Sequence, residues 1–232
     1  MLPPRINSTM KIGFTFLIII FFLTMNRATA GVVVGGTRFI YPQDKKMITI
    51  PVDNTDKKSA YLIQSWVEKE DGITKSKDFI LTPVIFQLDA GKKGILRVML
   101  KKTEFPDDRE TLLWLNIKGI PETDENRENK LQIVINSKFK LFYRPEGLTE
   151  PDYNKLRYER KGNRIKIIND LPFHITVRNI LVNNKEYTVS EMIVPFESLT
   201  VPVTTIHSND KITISYISDF GGIISKPVIF DK

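Results

Sequence analysis

The residue types that most often do chemistry are scarce in this chain of 232 residues and are not clustered where they occur. Only two histidines exist, His174 and His207, and neither has a partner at metal-ligand or general-base spacing. There is no cysteine, which removes disulfides, thiol nucleophiles and cysteine-based zinc sites together. No Gly-x-Ser-x-Gly elbow and no phosphate-binding loop is present. The stretch Gly31-Val32-Val33-Val34-Gly35-Gly36 bears glycines, but no helix follows whose N-terminus would hold a phosphate. It reads as a flexible mature N-terminus. The acid pairs Asp107-Asp108 and Asp124-Glu125 fall in polar loops, where solvation explains them better than glycosidic chemistry. These residues predict no catalytic group, no metal and no cofactor, and a protein that is not an enzyme.

The elements that would carry any other activity begin after an export signal. Arg5 and Lys11 precede the apolar run Ile12 to Met25, which is shorter than the about 20 residues that span a bilayer. Ala28-Thr29-Ala30 follows as a small-x-small cleavage site. Residues 1–30 are therefore expected to be a signal peptide cut after Ala30, whether translation starts at Met1 or Met10, and the mature chain should not span a membrane. The formal net charge is +7, of which Arg5, Lys11 and Arg27 supply +3 within that segment. Lysines and arginines of the remainder are interleaved with acids, as on an ordinary solvated surface, so no nucleic-acid partner is expected.

After residue 30 helical periodicity is absent, and short runs rich in β-branched and aromatic residues recur between turn residues. Strands are predicted over 31–40, 47–52, 60–68, 94–100 and 111–118. The run 79–88 is interrupted by Pro83 and so is an edge or a switch between sheets. A polar loop over 121–129 leads into the longest strand-like run, 130–143. Roughly seven strands in about a hundred residues is an immunoglobulin-like signature, here without its cysteine pair. Arg144-Pro145-Glu146-Gly147 marks a boundary. Beyond it, strands over 164–168, 175–182, 199–203, 211–218 and 223–230 make a second, smaller β-sandwich. The expected domains are 31–145 and 146–232.

Within the long run, Leu131, Ile133 and Ile135 alternate and share one face. By periodicity alone they are the core face of a last strand. The residues that follow, Ser137-Lys138-Phe139-Lys140-Leu141-Phe142-Tyr143-Arg144-Pro145, resemble the segment that ends the first domain of periplasmic pilus chaperones. Gly36-Thr37-Arg38-Phe39-Ile40-Tyr41 is similar to that family's first strand. The segment from Pro106 through Asp108-Arg109-Glu110 to Asn116 resembles its Asp-Arg-Glu loop and strand, closed by Ile120-Pro121. Ile217-Ser218-Asp219-Phe220-Gly221-Gly222 is similar to its Asn-Asp-Tyr-Gly turn. The match runs in order over nearly all of 31–232.

The resemblance implies an all-β protein of two immunoglobulin-like β-sandwich domains in a boomerang arrangement, acting in the periplasm within the chaperone–usher pathway. It implies that pilus or fimbrial subunits and an outer-membrane usher are partners, and it allows a self-capping oligomer. Arg38 and Lys140 would bind the C-terminal carboxylate of a subunit. Leu131, Ile133 and Ile135 would be donor-strand residues that fill the subunit's open groove, as in the known chaperone–pilin case of strand addition. Glu110, Arg144 and Asp219 would form an interdomain salt bridge. Absence of cysteine and the short 121–129 loop favour the short-loop branch. Lys140 has opposite parity to the donor residues, so in a regular strand it lies on the other face. The competing readings are an exported tandem immunoglobulin-like structural or adhesive module, and an exported hydrolase that would need a nucleophile or metal cluster not found here.

Overall fold

The computed structural model describes residues 31–101, 104–123, 131–203, 206–207 and 209–230. The expected signal peptide and most of the 121–129 loop, with Asp124-Glu125, lie outside them. Nine strands precede the Pro145–Gly147 turn: β1 (Val32–Val34), β2 (Arg38–Pro42), β3 (Ile48–Asn54), β4 (Tyr61–Glu68), β5 (Phe79–Thr82), β6 (Ile85–Leu88), β7 (Lys93–Leu100), β8 (Thr111–Pro121) and β9 (Ile135–Arg144). They form a four-stranded sheet in the order β1-β3-β7-β5 and a five-stranded sheet in the order β2-β9-β8-β4-β6. Alternation drives the packing. In β7, Leu96 and Val98 are buried while Ile95 and Arg97 are exposed. Leu96, Val98, Ile50, Ile63, Leu115, Leu141 and Tyr143 fill the space between the two sheets.

Seven strands follow: β10 (Arg157–Arg160), β11 (Arg164–Ile168), β12 (Ile175–Val182), β13 (Lys185–Ile193), β14 (Ser198–Pro202), β15 (Ile212–Ile217) and β16 (Ile223–Pro227). Their sheets run β10-β11-β14 and β13-β12-β15-β16. They enclose a second core built on Ile165, Ile167, Ile175, Val177, Ile180, Ile214 and Tyr216. Each half of the chain is thus a sandwich with its own core, and residues from 31 onward form one compact unit.

Several expected boundaries are corrected. The single strand expected over 31–40 is broken at Gly35-Gly36. Its first part, β1, pairs antiparallel with β3, and its second, β2, pairs parallel with β9 in the other sheet. A side chain at Gly35 would run into the Pro51 ring at 2.6 Å, so the crossing needs glycine there. Pro83 does mark a switch: β5 pairs with β7, whereas β6 pairs with β4. The second strand extends to Asn54 instead of stopping before Asp53. Asn54 is buried, and its side-chain amide donates to the carbonyls of Ser59, Leu88 and Asp89, which satisfies a polar group inside. The long run begins as a strand at Ile135 and reaches Arg144. Strands β10 and β13, not predicted, lie at sheet edges.

Candidate functional site

Strand β9 has one complete edge and one half-open edge. It pairs with β8 from Gly119↔Ile135 to Thr111↔Tyr143 without a register shift. On its other side β2 covers only Lys140 to Arg144. The edge from Ile135 to Phe139 has no strand partner among the described residues, so its backbone groups remain available for pairing. Residues 131–134 run ahead of the strand without ladder partners, and the Gln132 side chain ties them to the Pro121 carbonyl.

The faces of β9 follow from that unbroken register. Leu141 and Tyr143 lie in the first core, with Phe139 packed against it. Ile135 shares their parity at the start of the strand, past the point where the facing sheet covers it, and Ile133 and Leu131 precede it with the same alternation in sequence. These three are 64%, 68% and 89% exposed. An apolar stripe that outruns its own core is ready to be buried by a partner. No bulge interrupts β8–β9, so Lys140 stays on the opposite face, as its parity requires.

That opposite face carries the cations. Arg38 and Lys140 are direct cross-strand partners at the start of β2. Arg38 donates to the Ile217 carbonyl at 3.2 Å and to the Thr176 hydroxyl at 3.3 Å, both in the second sandwich, and its guanidinium lies 5.9 Å from the Phe142 ring. Its Nε is buried without a hydrogen-bond partner. Burial pulls the Arg38 guanidinium below its ordinary value, while Tyr153, Asp219 and Glu110 pull the other way. Lys140 has no hydrogen bond or ion pair among the described residues. Burial, and then the positive charge of Arg38, hold its ammonium below the usual lysine value. A carboxylate arriving between two such half-buried cations gains charge-assisted hydrogen bonds and relieves their mutual repulsion.

The structure also brings Glu110, Arg144 and Asp219 together. Arg144 donates from Nε and Nη2 to Glu110 Oε1 at 2.9 and 2.6 Å, and from Nη1 to Asp219 Oδ2 at 2.8 Å. The Thr149 carbonyl accepts from the same Nη1, and the Phe173 ring lies 5.0 Å from the guanidinium. Glu110 Oε2 accepts from the backbone N–H of His174 at 2.8 Å, and Glu110 N–H donates to the Pro172 carbonyl at 2.9 Å. Charge and backbone bonds thus link the sandwiches.

Sequence reasoning missed a neighbouring cluster. Lys138, on the same face as Lys140, makes a 2.8 Å ion pair with Glu68 Oε2, donates to the Gly72 carbonyl and sits 5.6 Å from the Trp114 ring. Glu68 Oε1 accepts from Trp66 Nε1 at 2.7 Å. Thr176 and His174, which face the first sandwich, were also missed. These partners are far apart in sequence, and only strand register reveals them.

Comparison with known proteins bears on this geometry. Residues 31–149 match the family described as pili and flagellar-assembly chaperone, PapD N-terminal domain, and residues 151–227 match pili assembly chaperone PapD, C-terminal domain. The chain is similar to the chaperone protein FimC of Escherichia coli strain K12, 36% identical over 232 residues, covering 96% of this chain and 95% of that protein. It resembles the crystal structure of the periplasmic chaperone SfaE, with 35% identity and a TM-score of 0.72, over 86% of this chain and all of that one, 100%. It also resembles the SafB chaperone solved in complex with the Salmonella enterica SafA pilin, with 30% identity and a TM-score of 0.75, over 88% and 96% of the two chains. With both family domains matched in order over the two sandwiches, the chain belongs to the PapD-type pilus assembly chaperones, a non-enzymatic family of two immunoglobulin-like domains.

Proposed function

We propose that this protein is a periplasmic chaperone that captures fimbrial subunits by lending them a strand and holding their C-terminal carboxylate, and that it delivers them to an outer-membrane usher. Residues 1–30 would direct export and be removed after Ala30, leaving domains over 31–145 and 146–232. The observation that carries the reading is the coincidence of an open β9 edge with an unpaired cation pair where that edge closes. A strand added along Ile135 to Phe139 lies in line with β2. Running parallel to β9, it ends where β2 begins, and its carboxylate meets Arg38 and Lys140. Running antiparallel, it would bring an amino terminus to two cations, so charge selects the parallel orientation.

Leu131, Ile133 and Ile135 then fill the subunit's apolar groove. Each side chain contributes about 1.5–3 kcal/mol on full burial, less the cost of ordering 131–134. Arg144, with Glu110 and Asp219, sets the relation of the two sandwiches so that Ile217 and Thr176 orient Arg38. The test is co-expression with pilin-like subunits and purification of a one-to-one complex. Arg38→Ala or Lys140→Ala should weaken the complex by about 10- to 150-fold, the worth of a charge-assisted hydrogen bond. Ile133→Lys should abolish it. A complex indifferent to all three variants would favour a structural or adhesive tandem module.

A further inference from the structure

We propose that Pro121 is a positioning residue for strand donation: it ends the β8–β9 ladder at Gly119↔Ile135 and so keeps residues 131–134 detached from their own sheet, free on both edges for an incoming subunit. The proposal rests on the reading of Leu131, Ile133 and Ile135 as donor residues. Hydrogen-bond direction carries it. The Glu122 N–H donates to the Ala60 carbonyl at 2.9 Å, so Glu122 turns its backbone groups towards β4. Successive residues of an antiparallel strand turn theirs to opposite neighbours, and Pro121 therefore faces β9 with its nitrogen and its carbonyl. Gly119 faces β9 by the same alternation, and its pair with Ile135 is the last of the ladder. Continuing that register by two residues would set Ile133 opposite Pro121.

At that rung one bond cannot form and the other meets a competitor. Proline has no N–H to give to the Ile133 carbonyl. The Pro121 carbonyl, which the Ile133 N–H would need, accepts from the Gln132 side chain at 2.5 Å. The place of this proline is informative. Strand β8 is the middle strand of its sheet, between β9 and β4, whereas proline belongs to sheet edges. Its ring leaves β4 undisturbed, because the bond on that side is made by Glu122. The ladder is thus stopped on the β9 side alone, and Leu131 and Ile133 stay exposed. A strand that fills a groove pairs along both of its edges. One zipped onto β8 would offer a single edge until it peeled away.

The experiment has two readouts on the mature protein. Pro121→Val combined with Gln132→Leu supplies the missing donor and frees the acceptor. In the free double variant, amide exchange at Ile133 and at the new amide of position 121 should be slowed by about two- to tenfold, the worth of one net backbone hydrogen bond. The Leu115 and Ile117 amides, inside the ladder, should be protected as in wild type. Gln132→Leu alone, which keeps the proline, should leave Ile133 exchanging fast. The second readout is capture of the fimbrial subunit that co-purifies with wild type. The double variant should bind it more weakly by the same factor, because only the peeled fraction is competent. Fast exchange at both amides overturns the proposal, and so does slow exchange with undiminished capture. Ile133 slowed as much by Gln132→Leu alone also overturns it, since the glutamine would then be the stop. Ile133→Lys that still binds the subunit as wild type does would refute the donor reading instead, while exchange at position 121 and Ile133 still decides whether the proline ends the ladder.

Discussion

Replacing Arg144 by methionine should separate a structural joint from a decorative one. The side chains of Arg144 and Glu110 are only 6% and 2% exposed, and that of Asp219 is 17% exposed. Methionine keeps much of the volume against Phe173 but removes the four donor contacts to Glu110, Asp219 and Thr149. Glu110 would keep the His174 N–H at 2.8 Å and, 3.5 Å from Oε2, the His174 Nδ1, which is a cation only when protonated. Stranding a buried carboxylate in this way costs about 3–5 kcal/mol. With a urea m-value of about 2–3 kcal/mol/M, the unfolding midpoint should fall by about 1–2.5 M. Adding Glu110→Gln to Arg144→Met removes the stranded charge and should recover at least half of the loss, whereas Asp219→Asn alone should cost about 1 kcal/mol because that carboxylate is nearer to water. A midpoint change below about 0.3 M for Arg144→Met would refute the reasoning, since it would mean that the buried pair contributes no more than a surface one.

Other consequences can be checked independently. Asp71 is held down to about 2 by the Thr74 hydroxyl first and then by the N–H groups of Ile73 and Thr74. Because its folded value is depressed, its contribution is complete above the ordinary aspartate range and fades as the pH falls towards about 2. An NMR titration should show this midpoint, and Thr74→Val should raise it. In the second core the hydroxyls of Tyr158 and Tyr216 share a hydrogen bond of 2.8 Å, and burial raises both phenols above their usual value. Tyr216→Phe leaves a buried hydroxyl without its partner and should cost about 1–3 kcal/mol in chemical unfolding, while the double change to phenylalanine should cost less than the single one.

Much of the architecture could be read from the sequence because the strands that build the cores carry their own pattern. Strands such as β7 and β12 announce themselves through buried valine, isoleucine and leucine, and Pro83 marks a real change of sheet. The missed strands have a physical reason. β10 and β13 are edge strands with arginine, lysine, glutamate, serine and threonine along much of their length, as expected where a strand must resist further pairing. The break at Gly35-Gly36 was hidden because both halves of that run are good strand formers, and only the partner sheets tell them apart. The residues of the cation site were named from a resemblance, not from periodicity. Their lack of a carboxylate partner, and the commitment of Lys138 to Glu68, emerged only once register had set four strands side by side.

The most direct test of the account is amide hydrogen exchange over residues 131–139, compared between the free protein and a co-purified complex with a fimbrial subunit. Strand donation along the open β9 edge predicts that residues 131–134 and those amides of 135–139 that point away from β8 exchange fast in the free protein and are strongly slowed in the complex, and that amidating the subunit's C-terminal carboxylate reduces the protection. Protection confined to other strands, with 131–139 exchanging equally in both states, would contradict it.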